Sequence, residues 1–222
     1  MRGKQRALWG AFTDRHAILQ IASGRHEQHA QSLLGDSAAI VTSDRWWAYT
    51  HLPLARRQVC WSHLQRDFAS HADGLAAEKE LGEHGLRVCR ELFWAWEIFQ
   101  HTGDRAELKR RIRLLQRELK PILRRYAGKA ARYRYGRGFA KNLLKIWPAL
   151  WTFATKTGVQ PTNYPEVRVM PRLAAERRSR WAVWLAKLGI IRALRGRREA
   201  CPVGGSGRVW CAAGRCGRAL VV

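Results

Sequence analysis

Leu8-Trp9-Gly10-Ala11-Phe12 and Ala17-Ile18-Leu19-Gln20-Ile21-Ala22 are short apolar runs on either side of a polar Thr13-Asp14-Arg15-His16, and Ser23-Gly24 closes the second. Two such runs around a polar tip predict a β-hairpin. His26 to Leu34 contains no breaker and stops at Gly35, which predicts a short helix. Ala38-Ala39-Ile40-Val41-Thr42 has the apolar run of a buried strand and ends at Ser43-Asp44. Arg45 to Leu52 fits a short helix ended by Pro53, and Arg57-Gln58-Val59-Cys60-Trp61 reads as one more strand. The order strand–strand–helix–strand–helix–strand predicts an α/β layer arrangement.

After Trp61 the period changes to that of helices. Leu86, Cys89, Leu92, Phe93, Trp96 and Phe99 are spaced by three and four, and so are Leu108, Ile112, Leu115, Leu119 and Ile122. Gly103-Asp104 separates the two stripes, with Asp104 placed to cap the second helix. Lys129 to Gly138 reads as a basic linker, and Phe139 to Thr155 as a third striped helix bent at Pro148. Gly158 to Pro165 reads as a loop, and Leu173 to Leu194 as a last amphipathic helix through Trp181, Trp184, Leu185 and Leu188. Residues 201–222, rich in Gly and Cys, are expected to be a loosely ordered tail.

Charge sharpens the picture. The 222 residues hold 41 Lys and Arg against 17 Asp and Glu, a formal +24, so a polyanion, and first of all nucleic acid, is the expected partner. A hydrophobic share of 46% is enough for a packed core. No run of eighteen apolar residues is present and no apolar stretch follows the first charges, so neither a membrane span nor a secretory signal is expected. Five irregularly spaced cysteines do not form a disulfide framework, and a reducing cytoplasm is the simpler setting. The composition breaks near the C-terminus, where residues 166–222 are rich in Arg and Gly, contain one Lys and no Asp, and hold three of the five Cys.

Few residues are candidates for chemistry. Asp44 lies at the C-terminal end of an apolar strand, where α/β sheets place ligand and catalytic groups, and it is equally placed to cap the segment that follows. Cys60 and His63 make half a zinc site, with no second pair at the needed spacing. His63 is therefore a partly buried structural histidine or a phosphate or active-site contact. Ser62 beside it has no nucleophile-elbow motif. Of the adjacent Trp46 and Trp47 one must face away from the core, where it could stack on a base or sugar. The basic faces of the 104–127 and 129–145 segments exceed what nearby acids neutralise, and phosphate contact is expected there.

Three blocks of sequence bring in a resemblance. They are Ser43-Asp44-Arg45-Trp46-Trp47-Ala48-Tyr49; Arg57-Gln58-Val59-Cys60-Trp61-Ser62-His63-Leu64 with Arg66-Asp67-Phe68; and Asn142-Leu143-Leu144-Lys145 with Pro148-Ala149-Leu150-Trp151-Thr152-Phe153, Gly158-Val159 and Pro161-Thr162-Asn163. In order and spacing they resemble the insertion sequence 66 family of bacterial transposases, from about Gly3 to Asn163.

The resemblance implies an RNase H-like fold and a DDE triad, in which three carboxylates hold two Mg²⁺ ions for DNA cleavage and strand transfer. Asp44 matches the second carboxylate and metal ligand. Glu166 stands nearest the third, one position early and beside Pro165. The first carboxylate and its strand precede the segment matching Gly3–Phe12, so the expected fold is α/β: an incomplete RNase H-like sheet lacking its first strand, with a large all-helical insertion and a basic C-terminal tail. The expected parts are a partial core over 3–68, a helical insertion over 69–157, a degenerate end of the core over 158–200 and the tail over 201–222. The tail beyond Asn163 has the composition of a GC-rich gene read out of frame.

The expected partner is DNA, with no membrane and no small-molecule substrate, and with a homo-oligomer or an intact transposase as a further partner. The expected DNA contacts are Trp47, His63, Arg66, Lys109, Arg110, Arg113, Arg132, Arg134, Lys141 and Lys145. The first functional expectation is a transposase fragment, truncated at both ends, that does not bind Mg²⁺ productively. The alternatives are a non-catalytic DNA-binding protein that regulates an intact transposase, and an enzyme completed by an Asp from another chain.

Overall fold

The computed structural model describes residues 6–13, 17–128, 134–163 and the backbone of 220–221. These form two compact units, residues 1–53 with 163–222 and residues 54–162. The described chain is mostly helical with a small sheet.

In the first unit the expected hairpin forms, with β1 (Ala7–Phe12) antiparallel to β2 (Ala17–Ala22) from Ala7–Ala22 to Phe12–Ala17. Helix α1 (Glu27–Leu34) follows and ends at Gly35, whose φ of 52° is left-handed and whose N–H closes the last turn on the Gln31 carbonyl. Strand β3 (Val41–Ser43) is shorter than the apolar run predicts. Trp9, Ala11, Ala22, Ala30, Leu33, Leu34, Val41, Ala48 and Tyr49 build the core. The Trp9 indole N–H reaches the Gly24 carbonyl at 3.0 Å, so this large ring is buried with its polar atom satisfied.

Two expectations change in this unit. The segment 45–52 holds only a single 3₁₀ turn, Trp47–Tyr49. Trp46 is extended (ψ 143°), and the Asp44 side chain bonds its N–H in a local turn, a conformation that competes with a longer helix. The second change concerns the sheet. A two-residue strand β5 (Leu220–Val221) lies between β1 and β3, in the order β2-β1-β5-β3. It is antiparallel to β1 through Phe12–Val221 and parallel to β3 through Val41–Leu220 and Thr42–Val221. The end of the expected tail thus contributes an ordered strand between β1 and β3.

The second unit opens with β4 (Arg57–Val59), which stops before Trp61 because Trp61 begins helix α2 (Trp61–Ala72). Helices α3 (Lys79–Thr102) and α4 (Arg105–Ala127) form where the two stripes predict helices, and the Asp104 carboxylate caps α4 through the N–H groups of Ala106 and Glu107 at 2.9 and 3.0 Å. The buried line of α3 runs through Leu81, Val88, Cys89, Leu92 and Ala95, while Leu86, Phe93, Trp96 and Phe99 are half-buried beside it. Close helix approach shifts it. A Cβ on Gly82 would lie 2.1 Å from the Ala72 nitrogen, and one on Gly85 would lie 2.0 Å from Phe68 Cδ1. Glycine at these positions lets α2 press directly on α3. Phe68, fully buried, also packs edge-on against Phe139 at 5.1 Å. These contacts put α2 in the helical unit, which begins at Leu54.

Helix α5 (Arg134–Lys145) begins inside the expected basic linker. The third striped segment does not run on to Thr155: a 3₁₀ turn over Trp147–Leu150 and a short α6 (Thr152–Thr155) follow α5, since Pro148 has no N–H to continue an α-helix. A buried set of hydrogen bonds joins this turn to β4. Gln58 Nε2 donates to the Val59 and Leu150 carbonyls at 2.7 and 3.2 Å, its Oε1 accepts the Phe153 N–H at 2.8 Å, Trp61 Nε1 donates to Leu150 O at 2.7 Å, and Thr152 Oγ1 donates to Arg57 O at 2.7 Å. The proposed helix over 173–194 lies outside the described residues.

Candidate functional site

Strand β3 delivers Asp44 to its C-terminal end, as the apolar run predicts. There Asp44 Oδ1 accepts the Trp46 N–H at 2.9 Å, so the capping role is realised on a turn. Arg25 Nη2 stands 3.7 Å from Oδ2, and both groups are partly exposed. The same guanidinium lies 4.6 Å above the Trp46 ring, whose indole N–H donates to the Arg25 carbonyl at 3.1 Å. Asp44 is thus held between a backbone donor and a cation.

Trp46 and Trp47 are 37% and 48% exposed, so not one but both lie outside the core. The 3₁₀ turn sends Ala48 and Tyr49 inward in their place. The Trp47 ring lies 6.4 Å from His26. In the other unit, Cys60 is fully buried, which removes it from any open metal site. His63 is half-buried on α2, and Arg66 is exposed one turn further on, its Nε 3.4 Å from the Ser62 carbonyl.

The basic residues divide by what neutralises them. Arg110 donates twice to Glu107, at 2.6 and 2.8 Å, and Arg111 donates to the same carboxylate at 2.7 Å. These hydrogen bonds, with the Arg110 bond the largest cause, hold the Glu107 carboxyl down at about 2 and raise Arg110. Arg110 is therefore tied to Glu107 of its own helix. Lys109 and Arg113 on α4, and Arg134, Lys141 and Lys145 on α5, are exposed and, among the described residues, in no ion pair. Arg132 lies outside the described residues. Arg117, Lys120 and Arg124, not among the expected contacts, share the face of Arg113 at spacings of four, seven and eleven. That spacing was the available signal.

A pair of Mg²⁺ ions needs several converging carboxylates. Among the described residues no group of three His, Cys, Asp or Glu side chains is placed to hold a metal ion, and Asp44 has a guanidinium close by. The described residues do not fit a metal pair. Glu166 lies outside them.

Among the described residues no helix is long and apolar enough to cross a membrane. No curated protein and no solved structure matches the chain. The family model for the Transposase IS66 family matches residues 1–181. This match continues past Asn163, so the resemblance does not stop at the break in composition. With 181 of 222 residues matched, the chain belongs to the Transposase IS66 family, whose work is transposition and whose partner is DNA.

Proposed function

We propose that this chain binds DNA in transposition through the exposed cations of α4 and α5, and that Asp44 stands where the family has the second carboxylate of its catalytic triad. The observation that carries the binding role is the row of Arg and Lys on α4 that, among the described residues, stand outside the Glu107 and Glu118 ion pairs. Uncompensated cations on a helix face favour phosphates by releasing counterions from DNA. Phosphate contacts of this kind fix position without reading sequence.

A second reading is favoured by the surroundings of Asp44. One carboxylate, bonded to a backbone N–H and 3.7 Å from Arg25, suits a non-catalytic role in which the protein regulates an intact transposase or assembles with another copy. DNA cleavage with Mg²⁺ or Mn²⁺ separates the two readings. Nicking of transposon-end DNA that is abolished by Asp44→Ala assigns catalysis to this chain. DNA binding without nicking, unchanged by Asp44→Ala, assigns the binding role alone. Absence of any DNA binding refutes both.

A further inference from the structure

Helix α4 and the Trp147–Leu150 turn enclose a surface pocket of about 390 Å³. Its walls include Arg113, Arg117, Lys120, Arg124, Pro121 and Trp147. At 1.5 Å per residue, the four cations span about 16 Å of one helix face. Among the described residues no carboxylate lines the pocket, and none of the four cations is in an ion pair. The acids of α4 are engaged elsewhere, Glu107 with Arg110 and Arg111, and Glu118 with Arg87 and His84. The pocket therefore carries uncompensated positive charge.

Phosphate binding alone does not call for an aromatic wall. Trp147 is half-buried, packed edge-on against Trp151 at 5.3 Å, with Trp151 in turn 4.9 Å from the fully buried Trp61. This chain of rings anchors the Trp147 indole. Lys120 Nζ lies 5.2 Å from its centroid, a cation over a π-face. An anchored indole beside a row of cations is what an unpaired nucleotide requires, since its base needs a π-surface and its backbone needs positive charge. In a paired duplex the bases are stacked on one another, and a base must leave the stack to reach such a wall.

We propose that this pocket binds an unpaired nucleotide of single-stranded DNA. The base lies on Trp147, Lys120 leaves the ring for a phosphate, and Arg113, Arg117 and Arg124 hold the adjoining backbone. This inference rests on the DNA-binding reading above and adds the form of DNA and the residues that take it.

The test uses the full chain and fluorescence anisotropy with four probes of one sequence: a single strand, a blunt duplex, a duplex with a single-stranded overhang, and the same overhang made abasic. The overhang is expected to bind more tightly than the blunt or abasic duplex. Trp147→Ala is expected to weaken overhang binding about 5- to 100-fold and to leave blunt-duplex binding unchanged. Trp147→Phe, which keeps a stacking face, is expected to retain most of the affinity. Changing Arg113, Arg117, Lys120 and Arg124 to Gln together is expected to make the salt dependence on the single strand shallower by about 3 in log–log slope.

Equal binding of the abasic and intact overhangs by the unaltered protein overturns the proposal, whatever Trp147→Ala does to folding. So does a folded Trp147→Ala protein with undiminished overhang binding. If no probe binds at all, the DNA-binding reading itself falls. If duplex and single strand bind alike, only the present inference falls.

Discussion

Gln58 offers a sharp test of how the helical unit is locked. Its side chain is fully buried and makes three hydrogen bonds, two as donor and one as acceptor from the Phe153 N–H at the start of α6. In Gln58→Leu the volume is nearly kept and every bond is lost. Leu150 O keeps the Trp61 indole as donor at 2.7 Å, so its loss is partial. The Phe153 N–H belongs to a helix terminus and has no carbonyl of its own helix to turn to. A buried N–H left unsatisfied costs about 1–3 kcal/mol, and the lost net bonding adds about 1 kcal/mol. Gln58→Leu should therefore lose about 2–4 kcal/mol, and Gln58→Ala about 1–2 kcal/mol more through the cavity it leaves. For a chain of this length that is a fall of about 5–15 °C in Tm. Urea unfolding followed by circular dichroism measures both variants. If Gln58→Leu stays within about 0.5 kcal/mol of the parent, the lock is not where the geometry places it.

Other consequences follow from close packing and charge. Gly82→Ala should destabilise more than Gly85→Ala, because its new Cβ meets the Ala72 backbone at 2.1 Å, whereas Gly85 meets the Phe68 ring. The clash should exceed the roughly 1 kcal/mol that alanine adds to helix propensity, and urea midpoints will show the order. Burial pushes the Cys89 thiol up to about 12. Its folded value lies above its unfolded value of 9.0, so the stability it contributes is complete below pH 9 and is lost as pH rises toward 12. At neutral pH the Cys89 peptide should resist alkylation until the chain unfolds, as mass spectrometry can read. Glu107 behaves oppositely. Its folded value is depressed, so its contribution is present above pH 4.5 and is lost as pH falls through about 2, which carboxyl NMR titration can follow.

Much of the scaffold was legible because periodicity is a local signal. The β-hairpin, the glycine stop at Gly35, the Asp104 cap and the α4 stripe follow from neighbours in sequence. What escaped depends on distant partners. The α3 stripe keeps Cys89 and Leu92, but its most buried line is turned toward Gly82 and Gly85, whose close approach to α2 is invisible to hydrophobic spacing. The β5 pairings involve residues near 12, 41 and 220, and no local pattern predicts them. Nor does local pattern show that the blocks around Gln58 and Thr152 bond each other, so part of the resemblance marks architecture and not chemistry. At the candidate site, Asp44 was legible from its strand end, but Arg25 beside it was not, being nineteen positions earlier. On α4 the charge pattern points to Lys109, Arg110 and Arg113, but it does not show that Glu107 pairs with Arg110 or that Arg113 lines a pocket with Arg117, Lys120 and Arg124.

The salt dependence of duplex DNA binding by the full chain tests the central claim most directly. Each phosphate neutralised contributes about −0.9 to the slope of log K against log salt. The exposed cations of α4 and α5 predict a slope of about −4 or steeper, unchanged by Asp44→Ala. A slope shallower than about −1, or one that collapses with Asp44→Ala, would contradict the claim that these helices hold the DNA.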